Sequence, residues 1–157
     1  IKHLILYCSR PFVTAQSAFY MKSFLALNRA SPDPTLNTRL TLPWVMSEHF
    51  FENENRVEQL LDLASQNIYP MKYEVQEQQY HALRAHDLRK ELADISIPTT
   101  LLMGDADLLV PVKLSRWMAQ QIPMARYRLI EGAPHSWHLE QPEAFIQTLM
   151  PILKEVP

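Results

Sequence analysis

The sequence predicts an α/β fold in which parallel strands are joined by crossover helices, and three observations carry the prediction. From Thr99 onward, short apolar runs alternate with helix-period segments: a run at 99–103, a helical stretch at about 112–121, a run at 127–130, and a helical stretch at about 142–153. Alternation of this kind requires parallel strands with right-handed crossovers. A third apolar run, His3 to Cys8, stands at the other end of the chain. Between them, residues 12–86 show no strand pattern and read as a helical insertion between two strands of one sheet.

The elements follow in order. His3-Leu4-Ile5-Leu6-Tyr7-Cys8 reads as a short buried strand, ended by Ser9-Arg10-Pro11. A helix is expected from about Thr14 to Leu27, with Tyr20, Phe24 and Leu27 on one side. Ser31-Pro32-Asp33-Pro34 breaks it, because each proline disfavours helix at the preceding residue. Leu36 to Glu48 holds apolar residues without a period and stays mixed. The clearest helix starts near Asn53, with Val57, Leu60, Leu61, Ala64 and Ile68 on one face and Pro70 as its stop. Another runs from about Tyr73 to Ala85. Asp87 is expected to cap a short helix in which Leu88, Leu92 and Ile95 share a side. Pro98 then introduces the 99–103 strand, and Pro151 should kink or fray the last helix. The organisation expected is a core strand (1–11), a helical cap insertion (12–86) and a C-terminal core segment (87–157).

At 157 residues, with 47% hydrophobic and 20% charged residues, the chain has the composition of one ordinary globular domain. A net charge of −2 gives no electrostatic case for nucleic acid or an anionic membrane. No apolar stretch approaches the ~20 residues of a membrane span. The single cysteine, Cys8, excludes an internal disulfide and any zinc site built on cysteines, and points to a reducing, cytoplasmic setting. The chain enters an apolar run within two residues of Ile1 and contains two glycines, where average usage would give about eleven. The expectation is that it is part of a larger protein. Half a parallel sheet exposes a strand edge, so association with the missing half or with another copy is expected.

Two segments can carry chemistry. Gly104-Asp105-Ala106-Asp107-Leu108-Leu109-Val110-Pro111 follows one expected strand, and Gly132-Ala133-Pro134-His135 follows the next. In an open parallel sheet, functional side chains gather in loops at the C-terminal strand ends. Asp107 and His135 both occupy such loops, so they can meet. An acid so placed holds an imidazole in one tautomer and lets it accept a proton from a nucleophile. Taken singly, such an Asp is an N-cap or turn residue and such a His a surface residue; the pair makes the case. His49, His81 and His86 form no metal constellation, and no glycine-rich loop could cradle a phosphate.

Ile97-Pro98 before a strand, Gly104-x-x-Asp107-x-x-x-Pro111, and Gly132-x-x-His135 followed by Glu140-x-Pro142-x-x-Phe145 together resemble the C-terminal part of the α/β-hydrolase family. The match is strong over 95–153 and loose over 1–94, where the first strand and the insertion look like the strand after the nucleophile helix and the cap. The resemblance implies that Asp107 is the triad acid and His135 the base, with Asp105 the nearer alternative acid and His138 a neighbour. It also implies carboxylic ester or related acyl hydrolysis of a small molecule, with no metal or organic cofactor. Pro134 departs from the glycine or small residue common at that position.

Family members attack from a nucleophile elbow, typically G-x-S-x-G, with the nucleophile upstream of the acid and base. Glycines only at 104 and 132 make that motif impossible here, and Ser9 and Cys8 read as a turn hydroxyl and a buried thiol. The nucleophile is therefore expected upstream of Ile1, and the chain alone is expected to be inactive. An upstream Asp would instead serve dehalogenation or epoxide opening. The reading from a different class is a non-catalytic binding module on the same scaffold. Phe24 and Trp44 in the insertion, and Trp137 beside His135, are the expected substrate-binding residues, with core packing as the simpler role for each.

Overall fold

The computed structural model describes residues 1–31 and 33–154. Three strands, β1 (Leu4–Tyr7), β2 (Thr99–Gly104) and β3 (Ala125–Ile130), form one parallel sheet in the order β1-β2-β3. The eight α-helices among the described residues are α1 (Ala15–Ala30), α2 (Pro34–Val45), α3 (Glu48–Phe51), α4 (Glu54–Ser65), α5 (Tyr73–Ala85), α6 (Val112–Gln121), α7 (Trp137–Glu140) and α8 (Pro142–Lys154). The chain divides into two compact units, one of Ile1–Pro11, Trp44–Ser47 and Leu88–Pro157, the other of Phe12–Pro43 and Glu48–Asp87.

The first unit contains the sheet. All six residues of β2 are buried, as a central strand covered on both faces requires. Leu101 and Met103 project into a core with Met118 and Ile122, while Leu102 packs with Ala133 and Trp137. This alternation is the period of two that places successive side chains on opposite faces. Register aligns Leu4 with Thr99 and Thr99 with Ala125, so the three strands start level; β2 and β3 end together at Gly104 and Ile130, two residues past the end of β1 opposite Leu102. Pro151 lies inside α8, which continues three residues past it to Lys154.

The second unit is helical. Thr14 caps α1 by accepting from the Ser17 amide at 3.1 Å, and Asn53 caps α4 by accepting from the Arg56 amide at 3.2 Å. α1 ends at Ala30; of the expected Ser31–Pro34 break, Pro32 lies outside the described residues. The segment without a period is mostly helix, as α2 and α3, with Pro43 inside α2. α4 stops at Ser65, short of Pro70, and leaves Ile68 exposed; the Asn67 side chain accepts from the Tyr69 amide at 2.9 Å and turns the chain first. Asp87 caps no helix. It pairs with Phe12 in an isolated antiparallel bridge, and only Leu92–Asp94 forms a short 3₁₀ turn beyond it.

Candidate active site

The C-terminal ends of the three strands feed three loops at one edge of the sheet. The β2 loop carries Asp107, which is 5% exposed, with its side chain at 1%. Its Oδ1 accepts from the Leu109 and Val110 amides at 2.8 and 2.9 Å, so the carboxylate is fixed by the turn that follows it. Its Oδ2 lies 2.9 Å from Nδ1 of His135 in the β3 loop. A carboxylate can only accept, so Nδ1 is the donor and Nε2 carries the lone pair. The His135 side chain is 30% exposed, which leaves the ring reachable while its acid is sealed.

Two glycines bring these loops together. A Cβ on Gly104 would lie 1.9 Å from the Ala133 carbonyl oxygen, so only glycine permits this approach of β2 to the histidine loop. Gly132 has φ +69°, the left-handed conformation that turns the chain out of β3. Asp105 accepts from the Gly132 amide at 2.7 Å and so staples the two loops, which separates its role from that of Asp107. Pro134 is fully buried beneath the loop.

The end of β1 and its loop add Tyr7, Arg10 and Cys8, to which the sequence reading gave no part in the site. The Tyr7 hydroxyl donates to the His135 carbonyl at 3.0 Å, and its ring packs edge-on against His138 and Phe145. Burial raises the Tyr7 phenol above its ordinary range. Arg10 donates to the Leu109 carbonyl at 3.2 Å; burial lowers its pKa and the charge of Asp107 opposes that shift. Cys8 stands at φ 44°, the one left-handed non-glycine among the described residues, and burial, with Asp107 second, pushes its thiol up to about 12. Cys8, Asp107 and His135 also form the trio of metal-ligand side chains that converges among the described residues. The topological rule that flagged the other two loops would have flagged this third strand end as well.

The expected substrate-binding residues fall in three different settings. Trp137, at 3% exposure, packs with Leu102, Ala133 and Phe145, and its indole donates to Gln141 at 3.3 Å, which is the core packing named as its simpler role. Phe24 is half-buried in the helical unit and lines a cavity of about 230 Å³ with Tyr20, Met21, Leu25, Met71 and Tyr80. Trp44 is half-buried in the same unit as His135. Its segment is tied there by the Ser136 amide, which donates to the Val45 carbonyl at 2.8 Å, and by Glu140. The buried Glu140 carboxylate accepts from the Ser47 amide at 3.0 Å and from its hydroxyl at 2.5 Å.

The sequence profile of the alpha/beta hydrolase family matches residues 1–148. The chain belongs to that family. Among curated relatives of this alpha/beta hydrolase chain, 3-oxoadipate enol-lactonase 1 of Acinetobacter baylyi is 37% identical over 75 residues, 48% of this chain and 28% of the lactonase. The pimeloyl-acyl-carrier-protein methyl ester esterase of Photobacterium profundum is 38% identical over 68 residues, 43% of this chain and 27% of the esterase. An alpha/beta hydrolase enzyme from a Medee basin deep-sea metagenome library superposes with a TM-score of 0.84 at 17% identity, over 100% of this chain and 57% of that enzyme. The alpha/beta hydrolase fold is therefore present in part, and the chain spans little more than half the length of that solved relative. No described helix is long and apolar enough to cross a membrane.

Proposed function

We propose that this chain supplies the acid and base of a serine-type acyl hydrolase, acting on a carboxylic ester or related acyl bond of a small molecule. The observation that carries the reading is the 2.9 Å contact between His135 Nδ1 and a buried, doubly amide-anchored Asp107. The nucleophile would be a serine on an elbow outside these residues, since two glycines 28 positions apart cannot make G-x-S-x-G. The serine attacks the carbonyl while Nε2 of His135 takes its proton. Asp107 holds the ring in that tautomer and stabilises the imidazolium. His135 returns the proton to the leaving group, takes one from the water that attacks the acyl-enzyme, and passes it back to the serine oxygen as the acid is released. Every step is an acyl or proton transfer among serine, His135, substrate and water, so the cycle calls for no metal or organic cofactor. The names of the lactonase and esterase relatives support an acyl–oxygen bond as the target.

Trp44 is proposed as a wall of the substrate site, because its segment is bonded directly to the residue after His135. The test is His135→Ala in the longer protein that carries this chain together with an elbow, assayed on a chromogenic ester. Turnover should fall by about six orders of magnitude. Unchanged turnover would remove His135 from the mechanism, whereas loss of ligand binding in a protein that shows no turnover would favour the binding-module reading. The 157-residue chain alone should show no His135-dependent hydrolysis.

A further inference from the structure

The thiol of Cys8 is a nucleophilic group that the hydrolytic cycle does not use, yet it lies beside the two side chains that the cycle depends on. Its sulfur, a carboxylate oxygen of Asp107 and a ring nitrogen of His135 all fall within 4.8 Å of one another. We propose that these three side chains form a binding site for a thiophilic divalent cation of the zinc class, and that filling it silences His135 as a base. The second half rests on the hydrolase reading above; the first does not.

The donor chemistry fits. Thiolate, imidazole and carboxylate together are the ligand types that zinc accepts, and a set of three leaves a fourth position open. Bonds of about 2.0–2.3 Å in tetrahedral array set ligand atoms roughly 3.3–3.8 Å apart, so pairs now up to 4.8 Å apart must close by as much as about 1.5 Å, while the 2.9 Å pair of Asp107 and His135 Nδ1 opens slightly. The surroundings are already organised. Asp107 Oδ1 is held by two backbone amides, which leaves Oδ2 on the side of His135, and the Tyr7 hydroxyl holds the His135 carbonyl. Outer bonds of this kind orient first ligands and sustain metal affinity. Access comes past the His135 ring, the exposed member of the trio. The left-handed backbone of Cys8 is an observed strain at this spot, and strain retained beside a site is an argument for function. The cysteine count in the sequence excludes a site made of cysteines, but it does not reach a mixed set of one Cys, one Asp and one His.

The protons balance simply. The cation displaces the thiol proton to solvent, and where it binds through Nδ1 it also takes the place of the hydrogen bond between Asp107 and His135. Binding through Nδ1 moves the ring proton to Nε2, which then donates and cannot accept from a nucleophile. Binding through Nε2 fills that lone pair directly. Either route removes the base without any change of fold.

Cobalt(II) titration of this chain tests the site without any turnover assay. Saturation near one equivalent, with a near-ultraviolet thiolate-to-cobalt charge-transfer band, is expected; Cys8 is the one cysteine, so the band reports on it alone. Cys8→Ser should lose the band, and His135→Gln should weaken binding at least ~10-fold. Melting curves in chelator separate loss of fold from loss of site, and His135→Gln decides the matter if Cys8→Ser does not fold. Binding without the band, or a band and affinity unchanged in His135→Gln, would overturn the site in favour of exposed histidines or thiolates bridging two molecules. A band together with zinc-insensitive turnover of the longer enzyme would overturn the silencing while leaving the site standing.

Discussion

The Tyr7 hydroxyl donates a 3.0 Å hydrogen bond to the backbone carbonyl of His135, across 128 positions of sequence. The same oxygen lies 3.4 Å from the His138 amide and can accept from it, so one phenol bridges both ends of the turn that presents the histidine. Tyr7→Phe keeps the ring and its packing against Phe145 but leaves a half-buried carbonyl without its donor. Stability should fall by about 1–2 kcal/mol. Turnover of the longer enzyme should fall roughly 3- to 10-fold with KM little changed, because a looser His135 positions its lone pair less well. Thermal melts and steady-state kinetics on the same variant check both.

Asp107 does two jobs, and two substitutions separate them. In Asp107→Asn the side-chain oxygen can still accept from the Leu109 and Val110 amides, so the loop and the melting temperature should hold. The anion facing His135 is gone, however, and an amide NH₂ can favour the wrong tautomer, so turnover should drop by roughly 10⁴. Asp107→Ala additionally strands two amide donors and should cost about 2–4 kcal/mol in urea unfolding. Equal stability of the two variants would show that the turn does not depend on the side chain.

The parts of this architecture written in local pattern were legible from sequence. The β2 and β3 runs, α5, α6 and α8 follow from periodicity and bounding prolines, and the parallel order follows from their alternation. Asp107 and His135 were singled out because both lie just past strands, and parallel topology makes such loops neighbours. What stayed hidden depends on contacts distant in sequence. α2 stayed hidden because its apolar residues follow no helical period, and it carries Pro43 inside. Asp87 looked like a cap because its actual partner, Phe12, is 75 positions away. Trp137 looked pocket-facing by its nearness to His135, but the short helix α7 begins at that residue and its ring is buried among Leu102, Ala133 and Phe145. Glu140 carried a motif position without its reason, which is the pair of hydrogen bonds from Ser47, 93 positions away.

The two glycines should respond differently to alanine. At Gly132 a Cβ meets nothing within 4 Å, so the cost is only that of φ +69° for an L-residue, about 1–2 kcal/mol. At Gly104 the Cβ would overlap the Ala133 carbonyl, and the loop from Ala133 to His135 must move, at about 2–3 kcal/mol or more. That movement also displaces His135, so Gly104→Ala should lose turnover beyond its stability loss while Gly132→Ala loses less. Urea unfolding and single-turnover kinetics, compared for the pair, would expose a contrary ranking.

Cys8 sets an alkaline limit on stability. Its thiol is pushed from 9.0 to about 12, chiefly by burial and secondarily by the charge of Asp107, so the folded chain keeps a proton that the unfolded chain releases. A raised pKa contributes stability in full below the unfolded value near pH 9, and that contribution drains away as pH climbs toward about 12. Cys8→Ser removes this one component and should flatten the loss of stability between those limits, while Tyr7, also raised, continues to contribute above pH 10. The same protonation keeps the thiol slow to react at pH 8, because the thiolate is the nucleophile. A disulfide reagent should label native protein far more slowly than protein in denaturant. Fast labelling of the native chain, or alkaline melting curves that coincide for Cys8→Ser and the parent, would mean that the thiol is not held in its protonated form by the fold.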